Sequence, residues 1–169
     1  MNTATDAIGR LHEHRRWFRV KMIEALKSLS PEEQRRTFPM GPGSAFAVAV
    51  HCWGAETGWI SAVEGATAAM TLPGAETFPT LDSLLDEWKK TDARWDRFLA
   101  AVTDADLGKP VARVRDGKTY TTTLADVLIH VTTHQMYHAA QFKNMLRQLG
   151  KTDLPPSDFI MFGREKWNA

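Results

Sequence analysis

Apolar residues recur at three- and four-residue steps along four long segments of the chain, and turn-forming residues separate these segments. This spacing places apolar side chains on one face of an α-helix. It predicts helices from about Thr5 to Leu29, from Ser44 to about Ala66, from Thr80 to Val102 and from Thr123 to Gly150. A short helical turn is also predicted at residues 30–33, SPEE, because serine caps it, proline takes the first helical position and glutamate completes a capping box.

The second predicted helix is apolar on nearly every side. The face of His51 carries small residues, whereas the opposite side carries Phe46, Ala49, Trp53 and Ile60. A helix in a bundle usually has one solvent-exposed face, so this second apolar face must be buried against another part of the protein. The C-terminal tail, with its apolar residues 159–161, or a second subunit could supply that cover. Because two-fold dimers are the commonest soluble assemblies, we expect a homodimer.

One segment departs from the helical pattern. Residues 110–122 read PVARVRDGKTYTT, two short runs of strand-forming residues around Asp116-Gly117, and they predict a small hairpin. The elements together predict an all-α fold, an antiparallel four-helix bundle with a small hairpin-like insertion before the last helix. We expect residues 1–169 to form a single domain, with a loop at residues 71–74 and the tail from Lys151 to Ala169 packed back on the bundle.

Composition narrows the classes of partner. The chain has 169 residues, 43% of them hydrophobic, and a formal net charge of +1, so neither nucleic acid nor an anionic membrane is expected as a partner. No apolar run approaches the roughly 18 residues that a membrane span requires. Cys52 is the only cysteine, which excludes an intrachain disulfide. With a polar N-terminal segment, MNTATDAIGR, this predicts a cytoplasmic protein. The pairs Arg15-Arg16 and Arg35-Arg36 are expected on solvated helix faces.

Three histidines recur at intervals of four in LIHVTTHQMYHAAQ, residues 128–141. At about 100° per residue, His134 and His138 fall inside the apolar arc of the last helix and His130 falls at its edge. Residues one turn apart have Cβ atoms about 6 Å apart, which lets two imidazoles reach one metal ion. A buried histidine otherwise needs hydrogen-bond partners for both ring nitrogens. Spacing alone leaves both alternatives open.

His51, on the small-residue face of the second helix, is the third candidate ligand. Three neutral imidazoles from two helices, with an open coordination position, are typical of a catalytic metal site. Cys52 lies about 100° round the helix from His51 and is a poor ligand candidate. Glu56 is also off that face, where it would support the site or be solvated. His12 and His14 are two residues apart, face different sides of their helix, and are expected to be exposed.

The motif THQMYHAAQ resembles the C-terminal helix motif H-x-x-x-H-R-G-Q of the DinB-like superfamily, metal-binding four-helix bundles named after damage-inducible proteins. Further segments match in order: the lone histidine in AVHCWGAETGWI, the glycine turn in RVRDGKTYT and the tail LPPSDFIMFGRE. The resemblance covers essentially the whole chain. It implies that His51, His134 and His138 bind a divalent metal ion. Imidazole ligands suit zinc, nickel, iron and copper alike, and we take zinc or nickel as first candidates and iron as a further one. His130 lies outside the implied triad.

The resemblance also bears on function. Ala139-Ala140 replaces the usual Arg-Gly, so the role of that arginine is absent, whereas Gln141 is retained and could hydrogen-bond a ligand histidine or the backbone. Family members include thiol-dependent S-transferases and a mycothiol-dependent isomerase, and the family is often dimeric. The implied function is a metal-dependent thiol S-transferase or hydrolase, acting with a low-molecular-weight thiol on a small electrophilic substrate. The alternative is a non-catalytic metal-binding or stress-response protein.

Overall fold

Six α-helices and one two-stranded hairpin make up the computed structural model, which describes residues 3–66, 71 and 73–168. The helices are α1 (Ala4–Lys27), α2 (Pro31–Arg35), α3 (Ala45–Val63), α4 (Leu81–Ala101), α5 (Leu124–Gln148) and α6 (Phe159–Trp167), and the strands are β1 (Pro110–Arg115) and β2 (Lys118–Thr123). Of the loop predicted at residues 71–74, Leu72 lies outside the described residues, as does Ala169 at the end of the tail. None of the described helices has both the length and the apolar character needed to cross a membrane.

Local capping signals set where the helices begin. Thr3, Ser30, Ser44, Thr80 and Thr123 each accept a hydrogen bond from a backbone N–H in the first turn of the helix that follows. The four long helices and the short helix α2 therefore begin where the sequence predicts or within one or two residues of it. The predicted hairpin is also confirmed: its strands are antiparallel, and residues 116 and 117 turn with φ of 51° and 72°.

The four-helix bundle is confirmed, but the predicted antiparallel arrangement holds only for some neighbouring pairs of helices. α3 and α5 are antiparallel, because His51 contacts His138 near one end of the seam and Trp59 contacts His130 further along. α1 and α4 are also antiparallel, whereas α1 runs parallel to α5 and α3 runs parallel to α4. The α1–α4 direction follows from the contacts Arg16–Asp96 and Arg19–Asp92. The α1–α5 direction follows from His12–Leu128 and Arg15–Gln135, and the α3–α4 direction from Thr57–Thr91 and Ser61–Arg94. Each long helix thus has one parallel and one antiparallel neighbour.

A buried polar layer divides the apolar core in two. One cluster contains Phe18, Phe46 and Trp88, and the other contains Ile60 and Trp95. The layer between them is made of polar residues from all four long helices: His12, Arg15, Glu56, Thr91, Thr132 and Gln135. The expectation that His12, His14 and Arg15 face solvent is therefore wrong, since all three are buried.

His12, His14 and Arg15 each have a polar partner that offsets part of the cost of burial. The His12 Nε2–H lies 3.0 Å from the Leu128 carbonyl oxygen, and His14 Nε2 lies 2.9 Å from the Ser157 carbonyl oxygen. Arg15 forms an ion pair with Glu56, and neither side chain is more than 2% exposed. Arg35 and Arg36 remain on the exposed side of their segment, as predicted.

The second apolar face of α3 is covered from within the chain. Phe46, Ala49 and Ile60 are fully buried, and Trp53 packs edge-on against Phe78 with ring centroids 5.1 Å apart. The prediction that this face needs a second subunit or the tail is therefore wrong, because Phe78 from the segment leading into α4 covers Trp53 and Arg35 of α2 covers Phe46.

The tail packs back on the bundle as predicted, but it contacts α1 rather than α3. Trp17 Nε1 donates to Glu165, and Lys166 pairs with Glu13. The homodimer stays a prediction, but the second apolar face of α3 is not available as its interface.

Candidate metal site

Three imidazoles converge at the seam between α3 and α5. His134 Nε2 lies 3.1 Å from His51 Nε2 and 3.2 Å from His138 Nε2. His138 is buried, and His51 and His134 are half-buried. The one-turn spacing on α5 aligns His134 and His138, and the antiparallel neighbour α3 brings His51 against both. The structure therefore assembles the three residues that the sequence singled out.

The spacing of the nitrogen atoms fits a shared metal ion. Two imidazole nitrogens about 2.05 Å from a tetrahedral ion lie about 3.3 Å apart, and two adjacent ones at the same distance from an octahedral ion lie about 2.9 Å apart. The observed 3.1 and 3.2 Å fall between these values. All three ligand atoms lie within 4.8 Å of one another. The donor set thus suits a divalent ion that accepts nitrogen ligands, without selecting among zinc, nickel and iron.

Gln141 fixes the tautomer of His138. The His138 Nδ1–H donates to Gln141 Oε1 at 2.8 Å, so the Nε2 atom of the neutral ring carries the lone pair that faces the other two histidines. This is the usual way in which a second hydrogen bond orients a metal-ligating histidine. It confirms the prediction that Gln141 bonds a candidate ligand. Gly41, with φ of 50°, lies directly against the Gln141 amide, where a Cβ atom would overlap it.

The site favours neutral imidazoles, the form that binds metal. Burial, followed by the neighbouring His138 and His51, lowers the pKa of His134 to about 4. Burial also lowers the pKa values of His51 and His138. At neutral pH the three rings therefore carry lone pairs rather than a second proton.

An open groove of about 1120 Å³ leads from the triad to the hairpin. Its walls include His51 and His134, Trp59 of α3, and Arg113 and Tyr120 of the hairpin. His130 also lines it, exposed, with its ring 5.5 Å from that of His134. This agrees with its predicted place at the edge of the arc. Sequence analysis missed Arg113 and Tyr120, although their pairing across the hairpin could have placed them on one face.

Cys52 and Glu56 stay outside the groove. Burial raises the pKa of the Cys52 thiol, which is fully enclosed in the core. Burial alone would raise the pKa of Glu56, but the charges of Arg15 and Arg19 outweigh it, and the pKa is lowered. Glu56 is therefore a buried carboxylate paired with arginine, not a solvated one as one of the sequence alternatives had it.

Comparison with known proteins places the chain in a family. The model of the DinB family matches residues 1–163. The chain belongs to the DinB family. The Protein DinB of Bacillus subtilis (strain 168) is 26% identical over 163 aligned residues, which cover 89% of this chain and 91% of that protein.

Two solved structures share the fold of this DinB-family chain. YfiT from Bacillus subtilis, described as a probable metal-dependent hydrolase with an unusual four-helix bundle topology, aligns with a TM-score of 0.63 and 15% identity over 86% of this chain and 89% of YfiT. A DinB-like protein from Bacillus cereus ATCC 10987 aligns with a TM-score of 0.57 and 19% identity, over 86% of this chain and 94% of that one. At these identities the likeness concerns the fold. The family resemblance seen in the sequence is confirmed.

Proposed function

We propose that this DinB-family protein binds one divalent metal ion through His51, His134 and His138 and catalyses attack by a nucleophile on a small substrate held in the groove. The convergence of three imidazole Nε2 atoms, on a triad of which His51 and His134 line an open groove, carries the proposal. A metal ion there would act as a Lewis acid and lower the pKa of a thiol or of water. The description of YfiT as a probable metal-dependent hydrolase agrees with such chemistry.

The groove favours a thiol over water as the nucleophile. Its described carboxylates are Asp116 and Asp126. Asp126 accepts hydrogen bonds from Thr122 and Thr123, and Asp116 lies 3.5 Å from Arg115. Asp126 is therefore already engaged by hydroxyl donors, whereas Asp116 is 86% exposed at the turn of the hairpin. A thiol, with an ordinary pKa of about 8.5, loses its proton near neutral pH far more easily than water does. We therefore favour a thiol S-transferase, with hydrolysis as the second reaction to test.

Metal content tests the ligand set. We expect untagged wild-type protein to hold one divalent ion per chain by mass spectrometry, and the variants His51→Ala, His134→Ala and His138→Ala to lose it. His130→Ala is the matched control, since it removes an imidazole from the same helix one turn from the triad. Equal metal content in all variants would contradict the proposed site.

Activity is a separate measurement. Metal-loaded protein is assayed with a panel of low-molecular-weight thiols and an aryl halide, and in parallel with an aryl ester without thiol. Turnover that needs thiol and the triad supports the transferase, and thiol-independent ester cleavage would support a hydrolase. Tight metal binding with no turnover in either assay would favour the non-catalytic alternative.

A further inference from the structure

The hairpin presents a cation to the groove. Arg113 is half-buried on β1 and lines the same groove as His51 and His134. Its guanidinium carbon lies 4.7 Å from the centre of the Trp59 ring, and Trp59 in turn contacts His130 at 5.2 Å between ring centroids. This cation–π contact limits the movement of the guanidinium, whereas its N–H donors remain available to a ligand.

Arg113 has no anionic partner among the described residues. Other arginines that are buried or half-buried have carboxylate partners: Arg15 with Glu56, Arg16 with Asp96, Arg19 with Asp92 and Arg94 with Glu64. For Arg113, burial and then the like charge of Arg115 lower the pKa, and no opposing carboxylate acts on it. A partly buried guanidinium without a counter-charge is a cost to the fold that a bound anion would offset.

The strand register places Tyr120 beside Arg113. Arg113 pairs directly with Tyr120 across the hairpin, so both side chains lie on one face. That face turns Val111 inwards against the second core cluster, and Arg113 and Tyr120 line the groove together with the histidines. Tyr120 is 56% exposed, which leaves its ring and hydroxyl accessible to a ligand. This side of the groove therefore offers the guanidinium of Arg113 beside the aromatic rings of Tyr120 and Trp59.

We propose that Arg113 is a specificity-determining residue that binds the carboxylate of a small organic ligand while the reacting part of that ligand lies over the histidines. Guanidinium and carboxylate match in planar, two-point geometry. The proposal rests on the proposed function only in that it assigns the ligand to the same groove. The carboxylate could belong to the thiol or to its reaction partner, and the experiment separates these two sources.

Matched acid and amide probes test the assignment. Mercaptoacetate is compared with mercaptoacetamide in the thiol arm, and phenylacetate with phenylacetamide in the thiol-free arm. Affinity is measured by calorimetry on metal-loaded protein and on protein stripped of metal. We expect wild type to prefer the acid roughly tenfold in at least one arm, as is typical of a charge-assisted hydrogen bond at a partly exposed site. The arm that shows the preference identifies which molecule carries the carboxylate.

Variants separate a specific contact from a diffuse charge effect. Arg113→Gln should abolish the preference for the acid, whereas Arg115→Gln, which removes a charge from the same strand with the side chain 80% exposed, should keep it. Arg113→Lys retains the charge without the fork and should keep a weaker preference, which gives a second measurement should the glutamine variant fail to fold. Equal losses in Arg113→Gln and Arg115→Gln, or a wild type without preference in both arms, would overturn the proposal. A preference that depends on Arg113 in metal-free protein supports it even where the metal-dependent reaction fails.

Discussion

Replacing Gln141 with methionine should weaken metal binding without unfolding the protein. Methionine has a similar volume and flexibility, but its thioether is a weak acceptor that cannot replace the amide oxygen. His138 Nδ1–H would lose its partner at 2.8 Å, and the ring is only 6% exposed, so water can replace that partner only in part. The neutral ring would then favour the other tautomer, in which Nε2 carries the proton and points at His134. Metal binding would have to reverse that tautomer.

The expected loss follows from the burial of that hydrogen bond. An unsatisfied buried donor costs about 1–3 kcal/mol, and removing the partner of a ligating histidine typically weakens metal affinity about 10- to 100-fold. These two ranges agree, since every 1.4 kcal/mol corresponds to about tenfold. Zinc affinity is measured at pH 7.5 by competition with a chromophoric chelator, on protein without a histidine tag.

Two further variants bracket the interpretation. Gln148→Met is the control, because this exposed glutamine of the same helix bonds only Asn144 among the described residues. Gly41→Ala should weaken zinc binding in the same direction, since the new methyl group would displace the Gln141 amide. A folded Gln141→Met protein that binds zinc as tightly as wild type would refute the role of this hydrogen bond in setting the tautomer.

Four other predictions concern stability and assembly. Glu56→Gln should lower the free energy of unfolding by about 3–5 kcal/mol, a fall in Tm on the order of 10 °C, because it leaves Arg15 buried without its counter-charge. Glu64→Gln, whose partner Arg94 is only half-buried and which is itself 40% exposed, should cost under about 1 kcal/mol, and calorimetry compares the two variants. Burial lowers the pKa of His12 from 6.5 to about 3, so the unfolded chain takes up this proton at a higher pH than the folded chain does. The contribution of neutral His12 to the free energy of unfolding should therefore be present above pH 6.5 and decline as the pH falls towards 3. Urea unfolding at pH 7 and pH 5 should show a smaller decline for His12→Gln than for wild type. Metal removal should lower Tm yet leave the helical circular-dichroism signal, since the two apolar clusters do not depend on the ion, and an apo protein without helix would contradict this. Light scattering at micromolar concentration should give the mass of a dimer, and a monomer would remove the homodimer; Trp53→Glu should unfold the chain, because Trp53 packs on Phe78 of its own subunit.

The sequence alone determined the helix starts, the hairpin and the candidate ligands, because each depends on residues close together along the chain. A capping threonine or serine acts within its own first turn, and Asp116-Gly117 forms the turn by its own backbone preference. His134 and His138 are neighbours on any helix. The prediction of His51 as the third ligand needed the family resemblance and the small-residue face, since no local rule connects positions 83 residues apart.

Tertiary structure decided what each long helix buries and against which partner. Arg15 was expected on a solvated face because it is followed by a second arginine, although it lies four residues after Leu11 and three before Phe18. Its partner Glu56 lies on another helix, and only the packing of α1 against α3 brings the two charges together. The cover on the second face of α3 is equally non-local, as is the placing of Arg113 in the same groove as the histidines. Periodicity reports that a face is apolar, whereas the element that covers it depends on how the connections between the helices fold back, and no repeat along the chain encodes that.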